Sequence, residues 1–289
     1  MKFTSIDIDS APMFIAEVGQ NHQGSLDHAL EYISVFAQAG ATAVKFQKRD
    51  NKILFDEEKY NEPYEHENSF GITYGEHREN LELKPNWLGT IRSACTKNDV
   101  LFMCTPFDEN SLELLLEYDV DILKVASFDL GNIPLLQKIA ASGKPVVIST
   151  GGGHSEHIDF SINALKNAES VAILHCVSEY PCPPEKLDLN SICALVEKYP
   201  DCSIGLSDHF SGTLSGPIGY MKGARIFEKH VTLNRAWKGT DHSFALEPVG
   251  FKNFVRDVKR VPIMETNKKK QSIGQEFVFR KLGKSIVAS

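Results

Sequence analysis

Several features that would assign this 289-residue chain to a class at once are missing from it. No apolar run approaches the ~18–20 residues that span a membrane. The first residues contain no apolar segment of the secretory type, so we expect no signal peptide and a cytoplasmic location. With 31 basic and 38 acidic residues, the formal charge of −7 offers no basic excess for non-specific nucleic-acid binding. We therefore expect neither a nucleic-acid nor a membrane partner.

Cysteine and glycine motifs that carry known chemistry are also missing. The six cysteines include no CxxC pair, the spacing typical of zinc ribbons and thioredoxin-like sites. Several cysteines lie inside apolar runs, so we expect reduced, buried thiols. Neither GxGxxG after the first predicted strand nor GxxxxGK[ST] is found, so both nucleotide-binding folds lack their fingerprint.

What is present is a regular alternation of short apolar runs with amphipathic stretches. The apolar runs are continuous, which is typical of parallel strands buried on both faces. We predict eight strands, at residues 13–18, 43–47, 100–105, 122–127, 145–150, 171–177, 203–208 and 224–231. Helical patterns lie between them, and a last one covers 249–261. This order predicts an α/β fold of the (β/α)8 TIM-barrel type, with a doubly wound open sheet as the rival.

The length of the chain leaves a choice between one large barrel and two domains. The eight units occupy residues 1–262, which we predict to form one barrel domain. The last stretch, 263–289, is too short for a domain, because fewer than about 40 residues rarely fold alone. We interpret it as a tail or linker. The connection at 48–83 is long and rich in aromatic residues, which favours a packed functional loop over disorder.

Polar side chains stand at the carboxyl ends of all the predicted strands, where the active sites of TIM barrels lie. Because side chains alternate along a strand, residues two apart share a face. The pairs on a common face are Lys45 with Gln47, Ser207 with His209, and Glu228 with His230. Burying unpaired charges costs several kcal/mol each, so stability alone does not explain this pattern.

Two histidines fall on neighbouring strands of the predicted barrel. Imidazoles such as those of His209 and His230 suit a divalent metal of the Mn, Fe, Co or Zn kind, with water or substrate completing the shell. The alternative is that each is a structural histidine with satisfied hydrogen bonds.

Two lysines at strand ends could flank a bound anion. Lys45 and Lys124 would supply charge, and hydroxyl groups would add neutral donors. These hydroxyl groups belong to Thr105, Ser127, Ser149 and Ser207. Two alternatives stay open: one lysine pairs with Glu17 or Asp129 in a structural network, or Lys124 forms an imine, as in a Schiff-base aldolase.

Ten segments of the chain, running from residue 14 to residue 288, together resemble the phosphoenolpyruvate-dependent sialic acid synthases. They are FIAEVGQNHQGSL, VKFQK, TYGEHR, KVAS, VISTGG, LHCVSEYP, IGLSDH, EKHVTL, WKGTDHSFALEP and KLGKSIVA. The resemblance implies a (β/α)8 barrel that condenses phosphoenolpyruvate with an N-acylmannosamine-type sugar, forming a C–C bond and releasing phosphate.

The resemblance also implies roles for residues that match the motifs. Catalytic roles fall to Glu17, Lys45, Lys124 and Asp129. Substrate contacts fall to Gln47, Thr105, Ser127, Ser149, Ser178, Tyr180, Ser207 and Asp241. A divalent metal, Mn²⁺ or Mg²⁺, would be held by His209 and His230. Asp129 stands where bacterial relatives have glutamate, and Ser178 where an asparagine is common.

The resemblance leaves the acceptor sugar open. Our first expectation is N-acetylneuraminate synthesis from N-acetylmannosamine. The alternatives are a 9-phosphate synthase that uses the 6-phosphate sugar, and a legionaminate- or pseudaminate-type synthase. Two other classes are a Schiff-base aldolase and a non-catalytic barrel that binds sugar or phosphoenolpyruvate.

The resemblance further implies a small antifreeze-like domain after the KLGKS-like residues and allows for a homodimer. Because the chain stops at Ser289, we expect that domain to be absent.

Overall fold

Eight parallel strands form a closed barrel in the computed structural model, which describes residues 2–3, 6–8 and 10–265. A short antiparallel hairpin of β1 (Lys2–Phe3) and β2 (Ile6–Asp7) precedes it. Neighbouring strands follow chain order, and the last strand closes the barrel against the first. The strands are β3 (Met13–Gly19), β4 (Ala43–Lys48), β5 (Leu101–Pro106), β6 (Ile122–Val125), β7 (Val146–Ser149), β8 (Val171–Cys176), β9 (Ser203–Asp208) and β10 (Ile226–His230). The predicted (β/α)8 TIM barrel is confirmed, and the open sheet is excluded.

Helices fill every connection between consecutive barrel strands. They are α1 (Leu26–Gln38), α2 (Asn51–Leu54), α3 (Glu57–Asn61), α4 (Tyr74–Asn80), α5 (Leu88–Lys97), α6 (Glu109–Glu117), α7 (Ile133–Ala141), α8 (Ser155–Ala164), α9 (Ser191–Lys198), α10 (Ser215–Met221) and, after the last strand, α11 (Pro248–Met264). Polar caps begin several of them: Asp108 accepts a hydrogen bond from the Ser111 backbone N–H at 2.7 Å, which satisfies a donor at the start of α6.

The final helix continues to Met264, past the predicted limit of the barrel at residue 262. The rest of the predicted tail, from residue 266 onward, lies outside the described residues. Within residues 2–3, 6–8 and 10–265, no helix is long and apolar enough to cross a membrane. All six cysteines are free thiols, as expected, and Cys95, Cys104, Cys176 and Cys182 are buried.

Apolar side chains form two layers, one inside the barrel and one outside it. The outer layer packs the strands against the helices. The inner layer comes mainly from the amino-terminal half of the strands, and the hairpin side chain Phe3 and the adjacent Ile8 complete it. Because this half is filled by hydrocarbon, the polar interior of the barrel is confined to the carboxyl ends of the strands.

The long connection between β4 and α5 is a packed structure, as its aromatic content predicts. The Tyr64 ring lies 5.5 Å from the Tyr74 ring and 4.6 Å from the His77 ring, between centroids. Gly75 lies against the ring of Tyr60, where a Cβ atom would overlap it. These contacts hold α4 in place beside the barrel mouth.

A buried ion pair lies between the barrel wall and the helices. Lys229 on β10 donates to the Asp208 carboxylate on β9 at 2.6 Å, and both side chains are almost fully buried. Asp208 also accepts from the Phe210 backbone N–H and the Ser215 hydroxyl. Strand alternation therefore directs Asp208 and Lys229 outward, away from their inward-facing neighbours.

We expect Lys229→Met to destabilise the fold by about 3–5 kcal/mol, because it leaves the Asp208 carboxylate buried without its cation. Chemical denaturation measures this as a lower free energy of unfolding. Lys252→Met removes an exposed lysine from α11 and serves as the control, with an expected change within about 0.5 kcal/mol. Equal effects of the two substitutions would contradict this interpretation.

Candidate active site

A cavity of about 430 Å³ opens at the carboxyl ends of the barrel strands. Every predicted site residue except Asp129 lines it. The predicted residues in its wall are Glu17, Lys45, Gln47, Thr105, Lys124, Ser127, Ser149, Ser178, Tyr180, Ser207, His209, Glu228, His230 and Asp241; of these, Glu228 entered the prediction only through its strand position. The barrel thus gathers side chains from widely separated parts of the sequence into one polar chamber.

Strand register explains how the innermost residues meet. In the parallel pairs, Glu17 lies opposite Lys45 on β4 and opposite His230 on β10. The pairing shifts between Glu17 and Gly19, so the end of β3 bends. Gly19 has φ +54°, and a Cβ there would lie 3.1 Å from both the Gln47 amide nitrogen and a Glu17 carboxylate oxygen. Glycine at this position therefore lets Gln47 reach Glu17.

Lys45 stands between two buried carboxylates. Its Nζ lies 3.1 Å from Oε2 of Glu17 and 3.5 Å from Oε2 of Glu228. The remaining carboxylate oxygens also have donors: Gln47 Nε2 donates to Glu17 at 2.7 Å, and Ser207 Oγ donates to Glu228 at 3.0 Å. The pairing satisfies the lysine, as one sequence alternative required, while keeping it in the cavity wall.

The pKa values of Glu17 and Glu228 are shifted in opposite directions. Burial raises the pKa of Glu17 to about 6, although the Lys45 ammonium acts to lower it. Burial also acts to raise the pKa of Glu228, but the charges of Lys45 and Lys124 outweigh it and hold that pKa well below its usual range. Glu228 is therefore the permanent anion, and Glu17 is the carboxyl that can exchange a proton near neutral pH.

Lys124 occupies the opposite wall and is held by neutral groups. Its Nζ donates to Ser149 Oγ at 2.6 Å and to the Val125 carbonyl at 2.8 Å. Burial lowers its pKa to about 8. Because no carboxylate is within ion-pair distance of Lys124 in the described part of the chain, its charge is available to an anion in the cavity.

The loop after β7 brings further donors to the same wall. Ser127 Oγ accepts from the Gly151 backbone N–H at 3.0 Å. A Cβ at Gly151 would overlap the Ser178 hydroxyl and lie 2.9 Å from Ser127 Oγ. The first glycine of the GGG sequence therefore permits the close approach of Ser127 and Ser178.

Two imidazoles face each other across the ends of β9 and β10. The His209 and His230 ring centroids are 5.4 Å apart, and both side chains are buried. The Tyr180 ring lies 4.0 Å from His209, between centroids, and covers it from the solvent side. Asp241 approaches His230, with 3.6 Å between Oδ2 and Nδ1. The predicted histidine pair and its two predicted neighbours are thus brought together.

Asp129 is the predicted residue that the cavity does not include. It ends a single 3-10 turn after β6, where its carboxylate accepts from the Asn132 amide at 3.1 Å. Its other oxygen is buried without a partner. Burial raises the pKa of this carboxyl, against the charges of Arg49 and Lys124, and its expected catalytic role stays a prediction.

Sequence reasoning missed several cavity residues. They are Gln20, Arg49, Phe107, Ala126, Phe128 and Cys176 near strand ends, and Arg78 and Thr240 in longer connections. Arg49 was detectable, since it follows Lys45 and Gln47 at the same period of two residues. Arg78 carried no such signal, because its place depends on how the long connection packs.

We expect Glu17→Gln to become relatively more stable as the pH rises. The folded protein keeps a proton on Glu17 up to about pH 6, whereas the unfolded chain releases it near 4.5, so the stability contributed by Glu17 is lost as pH rises through this window. Glutamine has no such loss. The variant should gain up to about 2 kcal/mol relative to wild type between about pH 4 and about pH 7.

Urea unfolding at the two pH values measures this gain. Glu113→Gln changes an exposed glutamate on α6 and is the matched control. A difference between Glu17→Gln and wild type that stays constant with pH would show that the Glu17 pKa is not raised.

Known proteins resemble this chain over most of its length. The model of the NeuB family matches residues 32–270. N-acetylneuraminate-9-phosphate synthase of Mus musculus is 36% identical over 280 residues, which are 96% of this chain and 78% of that protein. N,N'-diacetyllegionaminic acid synthase of Campylobacter jejuni is 31% identical over 282 residues, covering 96% and 84% of the two chains.

A solved structure shares the fold as well. The N-acetylneuraminic acid synthetase of Leptospira borgpetersenii, crystallised with citrate, superposes with a TM-score of 0.82 at 31% identity and covers 98% of this chain and 96% of that one. Family model, relatives and structure agree with the motifs quoted from the sequence. The chain therefore belongs to the NeuB family of sialic acid-type synthases.

Proposed function

We propose that this barrel condenses phosphoenolpyruvate with an N-acylmannosamine-type sugar, giving a nine-carbon 2-keto acid and phosphate. The observation that carries the proposal is one cavity in which two buried lysines and two buried imidazoles face the same space. The first pair suits a small polyanion and the second suits a metal that activates a carbonyl group.

The lysine side of the cavity supports phosphoenolpyruvate binding. Phosphoenolpyruvate carries a carboxylate and a phosphate, which together need several cationic and hydroxyl donors. Lys45 and Lys124 supply the charges. Hydroxyl groups in the same wall belong to Thr105, Ser127, Ser149 and Ser207. Burial keeps water away from these groups, which strengthens their interaction with a bound anion.

The histidine side supports a divalent cation. His209 Nδ1 lies 2.7 Å from the Val177 carbonyl oxygen and must donate to it, so in the neutral imidazole Nε2 carries no proton and can bind a metal. Burial lowers the pKa of His230 to about 4, so this imidazole is neutral at pH 7, and its Nδ1 is buried without a hydrogen-bond partner.

The donor set fits a metal with open positions. Among the described residues, no group of three or more histidines, cysteines or carboxylates is gathered as a metal cluster, so two protein ligands would leave room for water and substrate. Mn²⁺ or Mg²⁺ held by His209 and His230 would supply Lewis acidity at the aldehyde oxygen of the sugar.

The proposed reaction forms a C–C bond and breaks a C–O bond. C3 of phosphoenolpyruvate adds to the aldehyde carbon, whose oxygen takes up a proton. Water adds to the cationic C2 and loses a proton, for which Glu17 is the acceptor with a suitable pKa of about 6. The C2–O bond to phosphate then breaks, the C2 hydroxyl gives its proton to the departing phosphate, and the keto group remains. The lysines stabilise the departing phosphate.

Gln47, Tyr180 and Asp241 line the same cavity and are the proposed contacts of the sugar. The Tyr180 ring covers His209, and Asp241 lies beside His230. A sugar that presents its aldehyde to the imidazoles would therefore meet both side chains. Gln47 would contact it from the side of β4.

One observation favours a second function. Lys124 has a pKa of about 8, and a buried amine of lowered pKa is what a Schiff-base aldolase needs. Borohydride reduction in the presence of pyruvate distinguishes the two, because an imine on Lys124 would be trapped as a covalent adduct. The synthase predicts no such adduct.

The direct test is a phosphate-release assay with Mn²⁺, phosphoenolpyruvate and a series of sugars. The series contains N-acetylmannosamine, its 6-phosphate and the 2,4-diacetamido analogues. We expect phosphate release that depends on both phosphoenolpyruvate and one of these sugars. No phosphate release with any of the sugars, together with a pyruvate adduct after borohydride reduction, would support the aldolase and contradict the synthase.

We expect His209→Ala and His230→Ala each to weaken metal activation by more than about a hundredfold, because each removes a direct ligand. Titration of Mn²⁺ binding by electron paramagnetic resonance, alongside phosphate release, measures the loss. His154→Ala changes an exposed histidine and is the control. Wild-type metal dependence in either cavity variant would contradict the assignment.

A further inference from the structure

Two arginines in the cavity wall are not used by the proposed chemistry. Arg49 follows β4, and Arg78 lies on α4 in the long connection. Within residues 2–3, 6–8 and 10–265, neither guanidinium forms an ion pair. Charged groups that line a cavity without a counter-ion indicate that an anion enters it.

Arg49 is held rigidly by neutral groups. Its Nη2 donates to Gln47 Oε1 at 2.7 Å, and its guanidinium carbon lies 3.7 Å from the centroid of the Phe107 ring. The nearby Glu82 carboxylate favours the charged form of Arg49 but does not pair with its guanidinium: Glu82 accepts from the Arg49 backbone N–H and from Lys48 Nζ, each at 3.0 Å. The first contact fixes the backbone of Arg49, and its side chain remains in the cavity wall.

Arg78 is fixed by α4 in a similar way. Its Nε and Nη2 donate to the Tyr74 hydroxyl at 3.0 and 2.8 Å, and Nη1 donates to Gln20 Oε1 at 3.1 Å. Tyr74 itself packs against Phe55 and Tyr64. The aromatic packing of the long connection therefore orients Arg78 before any ligand binds, which reduces the entropy lost on binding.

The two cations act on each other. Burial lowers the pKa of Arg49 to about 10, and the charge of Arg78 adds to this effect. Arg49 remains charged at neutral pH. In contrast, Lys45 in the same cavity is paired with Glu17 and Glu228. The cavity thus has an ion-paired lysine and, in the same wall, two guanidinium groups without an ion-pair partner among the described residues, which suits a dianion bound by several N–H donors.

The position of the pair points to the sugar and not to phosphoenolpyruvate. Arg49 hydrogen-bonds directly to Gln47, a proposed sugar contact, and Arg78 reaches the cavity from the loop side through Gln20. His209 and His230, which would face the aldehyde, stand at the ends of β9 and β10. An acyclic sugar with its aldehyde at the imidazoles would extend its far end toward β3 and β4.

We propose that Arg49 and Arg78 bind a terminal phosphate of the acceptor sugar, so that the preferred acceptor is an N-acylmannosamine 6-phosphate. This inference rests on the proposed condensation. It also differs from the free sugar that the sequence led us to expect first. Sequence motifs showed no phosphate pocket for the sugar, because the two arginines come from a strand end and from a helix in a distant connection.

The test compares sugar preference in wild type and in neutral variants. Wild type is expected to use N-acetylmannosamine 6-phosphate with a kcat/KM at least about a hundredfold above that for N-acetylmannosamine. Arg49→Gln and Arg78→Gln should each reduce this preference by roughly tenfold to a hundredfold, because each removes charge-assisted hydrogen bonds. Arg78→Lys, which keeps the charge, should retain part of it. The KM for phosphoenolpyruvate should keep its wild-type value.

Lys84→Gln is the matched control, since it removes one positive charge from an exposed position in the same connection. It should leave the preference unchanged. Titration calorimetry of N-acetylmannosamine 6-phosphate provides a readout without turnover, and thermal unfolding verifies that each variant is folded.

Three results would overturn the inference. Equal kcat/KM of wild type for the two sugars would contradict the phosphate subsite but not the proposed condensation. A raised KM for phosphoenolpyruvate with unchanged sugar preference would assign the arginines to phosphoenolpyruvate. No turnover of either sugar would contradict both the proposed condensation and this inference.

Discussion

The structure of the site depends on one buried cation between two buried carboxylates. Lys45 joins Glu17 and Glu228, so it links β4 to the first and last strands of the barrel at the seam where the barrel closes. Removing these charges from water is costly, and the pairing compensates only while all three are in place. An incoming anion competes with the carboxylates for Lys45. The raised pKa of Glu17 weakens only one of the two pairs, because Glu228 stays an anion beside Lys45.

Strand alternation separates the charges that serve the site from those that serve the fold. Ser207 and His209 point into the cavity, whereas Asp208 between them points outward and pairs with Lys229. Both sets are buried and charged or polar, so polarity at a strand end does not by itself identify a functional residue. The direction in which the side chain points distinguishes the two sets, and this direction follows from the period of two residues along the strand.

The barrel and most of the cavity could be predicted from the sequence because both follow local rules. Continuous apolar runs mark buried parallel strands, and their carboxyl ends must converge. The place of Arg78 in the cavity could not be predicted, because it depends on how Tyr64 and Tyr74 pack within a connection that has no strong hydrophobic periodicity. Asp129, at the end of a single 3-10 turn after β6, does not line the cavity, and its role stays a prediction. The phosphate preference proposed here therefore rests on tertiary packing and not on a motif.

The proposed condensation requires that the C–O bond of phosphoenolpyruvate breaks when its carbon is joined to the aldehyde sugar. Phosphoenolpyruvate labelled with ¹⁸O in the oxygen that bridges C2 and phosphorus tests it directly, with mass spectrometry of both products. We expect that the released phosphate carries the label and that the nine-carbon keto acid does not. Label retained in the keto acid would show P–O cleavage and would contradict the proposed reaction.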